Sequence, residues 1–139
     1  MVHLKTAGYS GTPLSKKLGI VANSRLLAEK PPGNYRNLLK PIPSGTIFEN
    51  KLSAATDIIH VFAKNKLSLK KRLIALRNKI RPDAAVWVSW PKKSSKVQTD
   101  ITEDAIREIA LPLGFVDIKV CAVDDVWSGL KLVIRKELR

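Results

Sequence analysis

The run Lys92-Lys93-Ser94-Ser95-Lys96 follows directly on an apolar stretch that ends in Trp90 and Pro91. Ammonium and hydroxyl groups at that density suit a phosphate or a carboxylate. Trp90, or Tyr9 from the first ten residues, would give such an anion an aromatic wall. These seven residues form the candidate ligand site. Asp124-Asp125 is a carboxylate pair that suits Mg²⁺ or nearby lysines; we read it as structural pairing or simple exposure, and expect no metal. Cys121 stands between Val120 and Ala122, where a thiol acts as a small hydrophobe. His60 lies in an apolar run and reads as a satisfied core histidine. A serine or cysteine nucleophile would have to be built on it, because the other histidine, His3, is next to the chain start. Gly8-Tyr9-Ser10-Gly11-Thr12 lacks the Gly-Lys-Ser/Thr ending of a phosphate loop and a preceding strand. No catalytic residue is expected.

The elements that position these groups follow from periodicity. Asp57-Ile58-Ile59-His60-Val61-Phe62 and Ala84-Ala85-Val86-Trp87-Val88-Ser89-Trp90 are nearly continuous apolar runs, as in strands buried on both faces of a parallel sheet. Between them, residues 66–81 place Leu69, Leu73, Leu76 and Ile80 on one helical face, with a basic stripe beside it. Thr102 caps a second helix whose apolar face is Ile106, Ile109, Ala110 and Leu113. Phe115 to Val123 and Leu130 to Ile134 are strands joined by a link too short for a helical crossover, so they form an antiparallel hairpin. Towards the N-terminus, Thr12 and Pro13 suit the cap and first position of a short helix over Leu14 to Leu18 that Gly19 closes. Residues 24–28 and 46–49 are weak strands, and Asn34 starts a short helix through Leu39. The link from Glu49 to Asp57 is short, so one strand-helix unit is reduced. The expected architecture is α/β: a three-layer Rossmann-like sandwich with a mostly parallel sheet and an antiparallel last strand. Residues 1–139 read as a single domain, with 1–23 as a loop and short helix packed on it.

Composition limits the function classes. The 139 residues include 25 Lys and Arg against 12 Asp and Glu, a net charge of +13. Residues 64–96 hold eleven basic side chains and one acid, Asp83. Such a field attracts polyanions, so nucleic acid is a candidate partner. No helix-turn-helix, zinc finger or aromatic RNA-binding motif accompanies the charge. One cysteine excludes an internal disulfide framework. No apolar run approaches the ~20 residues of a membrane span, and the start lacks a signal-peptide core. A cytoplasmic protein without a membrane partner is expected, of open oligomeric state.

Several blocks resemble a bacterial family, domain of unknown function family 3052. They are Ala7-Gly8-Tyr9-Ser10-Gly11-Thr12-Pro13-Leu14 with Lys17-Leu18-Gly19-Ile20, then Trp87-Val88-Ser89-Trp90-Pro91-Lys92-Lys93, then Thr99-Asp100 with Ala110-Leu111-Pro112-Leu113-Gly114, the block Val116 to Asp124, and Trp127 to Arg135. More distantly, residues 57–62 and 80–90 are similar to the later strands of S-adenosylmethionine-dependent methyltransferases. That similarity implies a glycine-rich turn after the first strand, where backbone approaches the cofactor. The corresponding segment is Ala28-Glu29-Lys30-Pro31-Pro32-Gly33, with no Gly-x-Gly. Glu49, at the next strand's end, occupies the place of a ribose-binding acid and is the one candidate cofactor contact. The missing turn outweighs it. The resulting reading is a non-catalytic, methyltransferase-like domain without a cofactor, binding a small anionic ligand or a protein partner. A nucleic-acid-binding protein and a divergent methyltransferase are the alternatives.

Overall fold

The computed structural model describes residues 11–139. Tyr9, His3 and most of the glycine-rich segment read above lie outside them. Six strands form one sheet in the order β2-β1-β3-β4-β6-β5. They are β1 (Arg25–Glu29), β2 (Ile47–Glu49), β3 (Ile58–Phe62), β4 (Ala85–Pro91), β5 (Phe115–Ala122) and β6 (Trp127–Ile134). β2, β1, β3 and β4 run parallel. β6 inserts antiparallel between β4 and β5, so the antiparallel final strand expected from the short link is present. The link after β2 carries no helix, as its length implied.

Both central strands are buried on both faces because helices cover both. All five residues of β3 are buried, and they alternate between two clusters. Ile59 and Val61 join Leu69, Leu73 and Leu76 of α3 (Lys66–Arg77) and Ile106 and Ala110 of α4 (Glu103–Ala110). Ile58 and Phe62 face the other way, with Leu14 of α1 (Leu14–Lys17) and Tyr35 of α2 (Tyr35–Leu38). The result is three layers, thick on the first face and thinly covered on the second, where each helix is four residues long.

The helix starts and stops follow local chemistry. Asn65 accepts a hydrogen bond from the Ser68 N–H, and Thr102 accepts one from the Ala105 N–H, so both long helices have side-chain caps. α3 ends at Arg77, short of the expected residue 81. Asn78 closes it, and the chain turns before Pro82, which disfavours helical backbone in the residue preceding it. Ile80 still reaches the core, so the apolar stripe is buried as read. α1 starts at Leu14 as expected, but Pro13, with extended ψ of 142°, stands at its N-cap in place of Thr12. β6 starts three residues earlier than expected, since Trp127, Ser128 and Gly129 pair with Pro91, Trp90 and Ser89.

Candidate functional site

The sheet order fixes where a ligand site belongs. From β1 the chain goes by α2 to β2 on one side, and from β3 it goes by α3 to β4 on the other. The neighbouring carboxyl ends of β1 and β3 therefore form a topological switch point, the place where open α/β sheets bind ligands. A cleft of about 800 Å³ opens there. Its apolar lining comes from Pro31, Pro32, Val61, Phe62, Ala63, Leu69 and Trp127. Its polar lining is Glu29, Lys30, Lys64, Asn65, Ser68, Lys71 and Arg72.

The charges in this lining are not equivalent. Arg72 Nε donates to Glu29 Oε1 at 2.6 Å, and its Nη2 donates to the other carboxylate oxygen. Hydrogen bonding to Glu29 raises the Arg72 pKa further, and the pair is closed on itself. Lys30, Lys64 and Lys71 are exposed and make no ion pair among the described residues. Arginine supplies the cation of every one of those ion pairs. The cleft thus carries three uncompensated ammonium groups.

Trp127 is held in place from two directions. Asp124 Oδ1 accepts hydrogen bonds from the backbone N–H of Val126 at 2.9 Å and of Trp127 at 2.8 Å. Asp124 is therefore a turn-forming residue, a role that its reading as a paired or exposed carboxylate did not include. The indole meets Phe62 edge-to-face with centroids 5.1 Å apart. Phe62 in turn stacks on His60 at 4.2 Å.

His60 is fully buried between two hydroxyls. Its Nδ1 lies 2.7 Å from Tyr35 Oη and its Nε2 lies 2.6 Å from Ser89 Oγ. Burial pushes its pKa down to about 3, so the ring is neutral, and burial raises that of Tyr35. A Ser-His-Tyr chain resembles the wiring of a nucleophile. Here Ser89 and His60 are both inaccessible. Gly129 closes over the serine: a Cβ there would stand 3.2 Å from Ser89 Oγ. This is core structure, and the histidine is satisfied at both ring nitrogens, as its apolar run implies. Its partners Tyr35 and Ser89 lay too far apart in sequence to be paired in advance.

The residues singled out from sequence do not converge on the cleft. Trp90 is buried in the α3–α4 core. Lys92 follows β4, with its N–H donating to the Val126 carbonyl. Lys93, Ser94 and Ser95 form a 3-10 turn closed by Lys96 with φ 61°. Ser95 Oγ donates to the Lys92 carbonyl. This loop lies outside the cleft lining. Glu49 is also outside it. Arg25 Nε and Ser53 Oγ each donate to its Oε2 at 3.0 Å, and Thr56 donates to its Oε1. Burial alone would raise the Glu49 pKa, but these hydrogen bonds outweigh that and hold it below the ordinary glutamate range. Cys121 is partly buried, which raises its thiol pKa. Among the described residues no three metal-ligating side chains gather, and no helix is long and apolar enough to cross a membrane.

Solved structures share this fold. The chain is similar to an S-adenosylmethionine-dependent methyltransferase from Aquifex aeolicus, with TM-score 0.60, 15% identity, and 87% of each chain covered. It is also similar to the DhpI–SAH complex, with TM-score 0.60, 11% identity, and coverage of 88% of this chain and 82% of that one. A putative type 11 methyltransferase from Sulfolobus solfataricus matches with TM-score 0.56 and 14% identity, covering 81% of this chain and 85% of the other. No family model and no curated protein matches the chain. The resemblance to domain of unknown function family 3052 therefore rests on its motifs alone. At these identities the likeness is one of fold, and the chain has a methyltransferase-like Rossmann fold.

Proposed function

We propose that this chain is a methyltransferase-fold domain that binds a small anionic ligand in the cleft between β1 and β3, and that it is not a methyltransferase. The carrying observation is the cleft's charge. S-adenosylmethionine bears an ammonium and a sulfonium against one carboxylate, so it is a net cation. Lys30, Lys64 and Lys71 oppose it, and the one acid present, Glu29, is neutralised by Arg72. The groups that would hold the cofactor do not fit either. Lys30-Pro31-Pro32-Gly33 stands where the glycine turn would be. The helix after it has four residues, and Glu49 is already spent on Arg25, Ser53 and Thr56. Membership of domain of unknown function family 3052 is part of this proposal and rests on the motifs quoted above.

The divergent-methyltransferase reading keeps one point in its favour, the position of the cleft at the switch point. Thermal unfolding separates the two. A ligand at about 100 times its Kd adds roughly 2.7 kcal/mol, which is a shift of several degrees for a chain of this size. Inorganic pyrophosphate should raise Tm by that order, and S-adenosylmethionine should not. The rise should disappear in the double variant Lys64→Gln/Lys71→Gln. It should persist in Lys93→Gln/Lys96→Gln, which removes as much charge outside the cleft. A shift with S-adenosylmethionine alone would overturn the proposal in favour of methyl transfer.

A further inference from the structure

Resting on that reading of the cleft, we infer that its ligand is a nucleotide: a phosphate held by Lys30, Lys64 and Lys71, and an aromatic ring against Trp127 and the Pro31-Pro32 turn. A cleft of about 800 Å³ is far larger than an inorganic anion needs and lies in the range of small-molecule sites. Two chemistries meet in it. One wall is apolar and aromatic, and the rim is cationic.

The aromatic wall is preorganised. Trp127 is fixed by the Asp124 turn and by its edge-to-face contact with Phe62, and Phe62 is fixed by stacking on a fully buried histidine. A flat ring that lands there orders no loose side chain, which favours binding. The polar end is equally specific. The N-terminal amides of α3 do not invite an anion, because Asn65 takes the Ser68 N–H and Asp100 takes the Lys66 N–H at 2.8 Å. The charge must be met by ammonium groups, which bind phosphate as point charges. A ligand that satisfies both ends joins an aromatic ring to phosphate.

Calorimetric titration of the intact chain with ADP, adenosine, pyrophosphate and the oligonucleotide d(A)12 tests this. ADP should bind more tightly than adenosine and than pyrophosphate, by about tenfold each, the weight of one good contact at either end. Lys64→Gln and Lys71→Gln should each weaken ADP about tenfold and leave adenosine unchanged, while Trp127→Leu should weaken ADP and leave pyrophosphate unchanged. Both lysines are exposed, so their variants keep the fold. Tighter binding of d(A)12 than of ADP, still lost with Lys64→Gln, would support the inference and place the nucleotide in a strand. Pyrophosphate binding as well as ADP would overturn the nucleotide and leave the anion site standing. No binding by either would overturn both. Binding of d(A)12 alone, unchanged in the lysine variants, would overturn the inference in favour of the basic exterior.

Discussion

His60 should make the fold acid-sensitive well above the range in which carboxylates titrate. Its pKa is about 3 in the folded chain, against 6.5 for a free histidine. The sign follows from which state binds the proton first. Below pH 6.5 the unfolded chain protonates and the folded chain does not, so stability is present above 6.5 and falls as pH drops towards 3. The loss is about 1.4 kcal/mol per pH unit, or about 2 kcal/mol between pH 7 and pH 5. For a chain of this size that lowers Tm by roughly 6–10 °C. The window is clean on the acid side. Glu49, Asp57 and Asp117 all have lowered pKa values, so the stability they contribute is lost only below their ordinary values of 4.5 and 3.8. Urea titrations at half-unit intervals from pH 7 to 5 give the slope, and the same series on His60→Gln assigns it. The variant should be less stable throughout, because Tyr35 and Ser89 lose their buried partner, yet its slope should be nearly flat. The imidazole proton resonances of His60 should not move over the same range. A slope under about 0.5 kcal/mol per unit, or one that survives in His60→Gln, would refute the reasoning.

Two predictions concern the scaffold. Gly114 ends the turn after α4 at φ 101°, and a Cβ there would stand 2.9 Å from Leu138 Cδ1 and 3.0 Å from Arg77 Nε; Gly114→Ala should destabilise by about 1–3 kcal/mol, measured by urea unfolding. Leu73 is fully buried and its neighbour Ile74 is 41% exposed. Leu73→Ala should therefore cost about 2–5 kcal/mol and Ile74→Ala under about 1 kcal/mol, and equal losses would mean that α3 packs on a different face.

The fold was legible because its signals were local. The all-buried run 58–62 and the stripe Leu69-Leu73-Leu76-Ile80 are periodic patterns, and the β5–β6 hairpin follows from a short link. The site was not legible, for a topological reason. A ligand binds at a switch point, and a switch point is a property of strand order. Sequence alone shows that Lys92 to Lys96 follow a buried strand, so they carry the right chemistry at a plausible end. It does not show that β3 lies beside β1, which brings Lys30 to the same cleft as Lys64 and Lys71. Nor does it show which cations are already paired. Glu29 and Arg72 are 43 positions apart, and Arg25 and Glu49 are 24 apart. Only in the fold do Arg72 and Arg25 prove to be paired.

Paired and unpaired cations differ in what they suit. Among the described residues, four arginines are tied to acids elsewhere in the chain: Arg72 to Glu29, Arg25 to Glu49, Arg107 to Asp117 and Arg81 to Asp57. A planar guanidinium forms two directed hydrogen bonds at once, which suits it to fixing such contacts. An ammonium on a flexible stem is a better transient partner for an anion that must enter and leave. On the proposed reading, the three lysines at the switch point are of this second kind. Replacing them with arginine should therefore keep the charge and change the binding, and Lys64→Arg is the variant in which charge and geometry come apart.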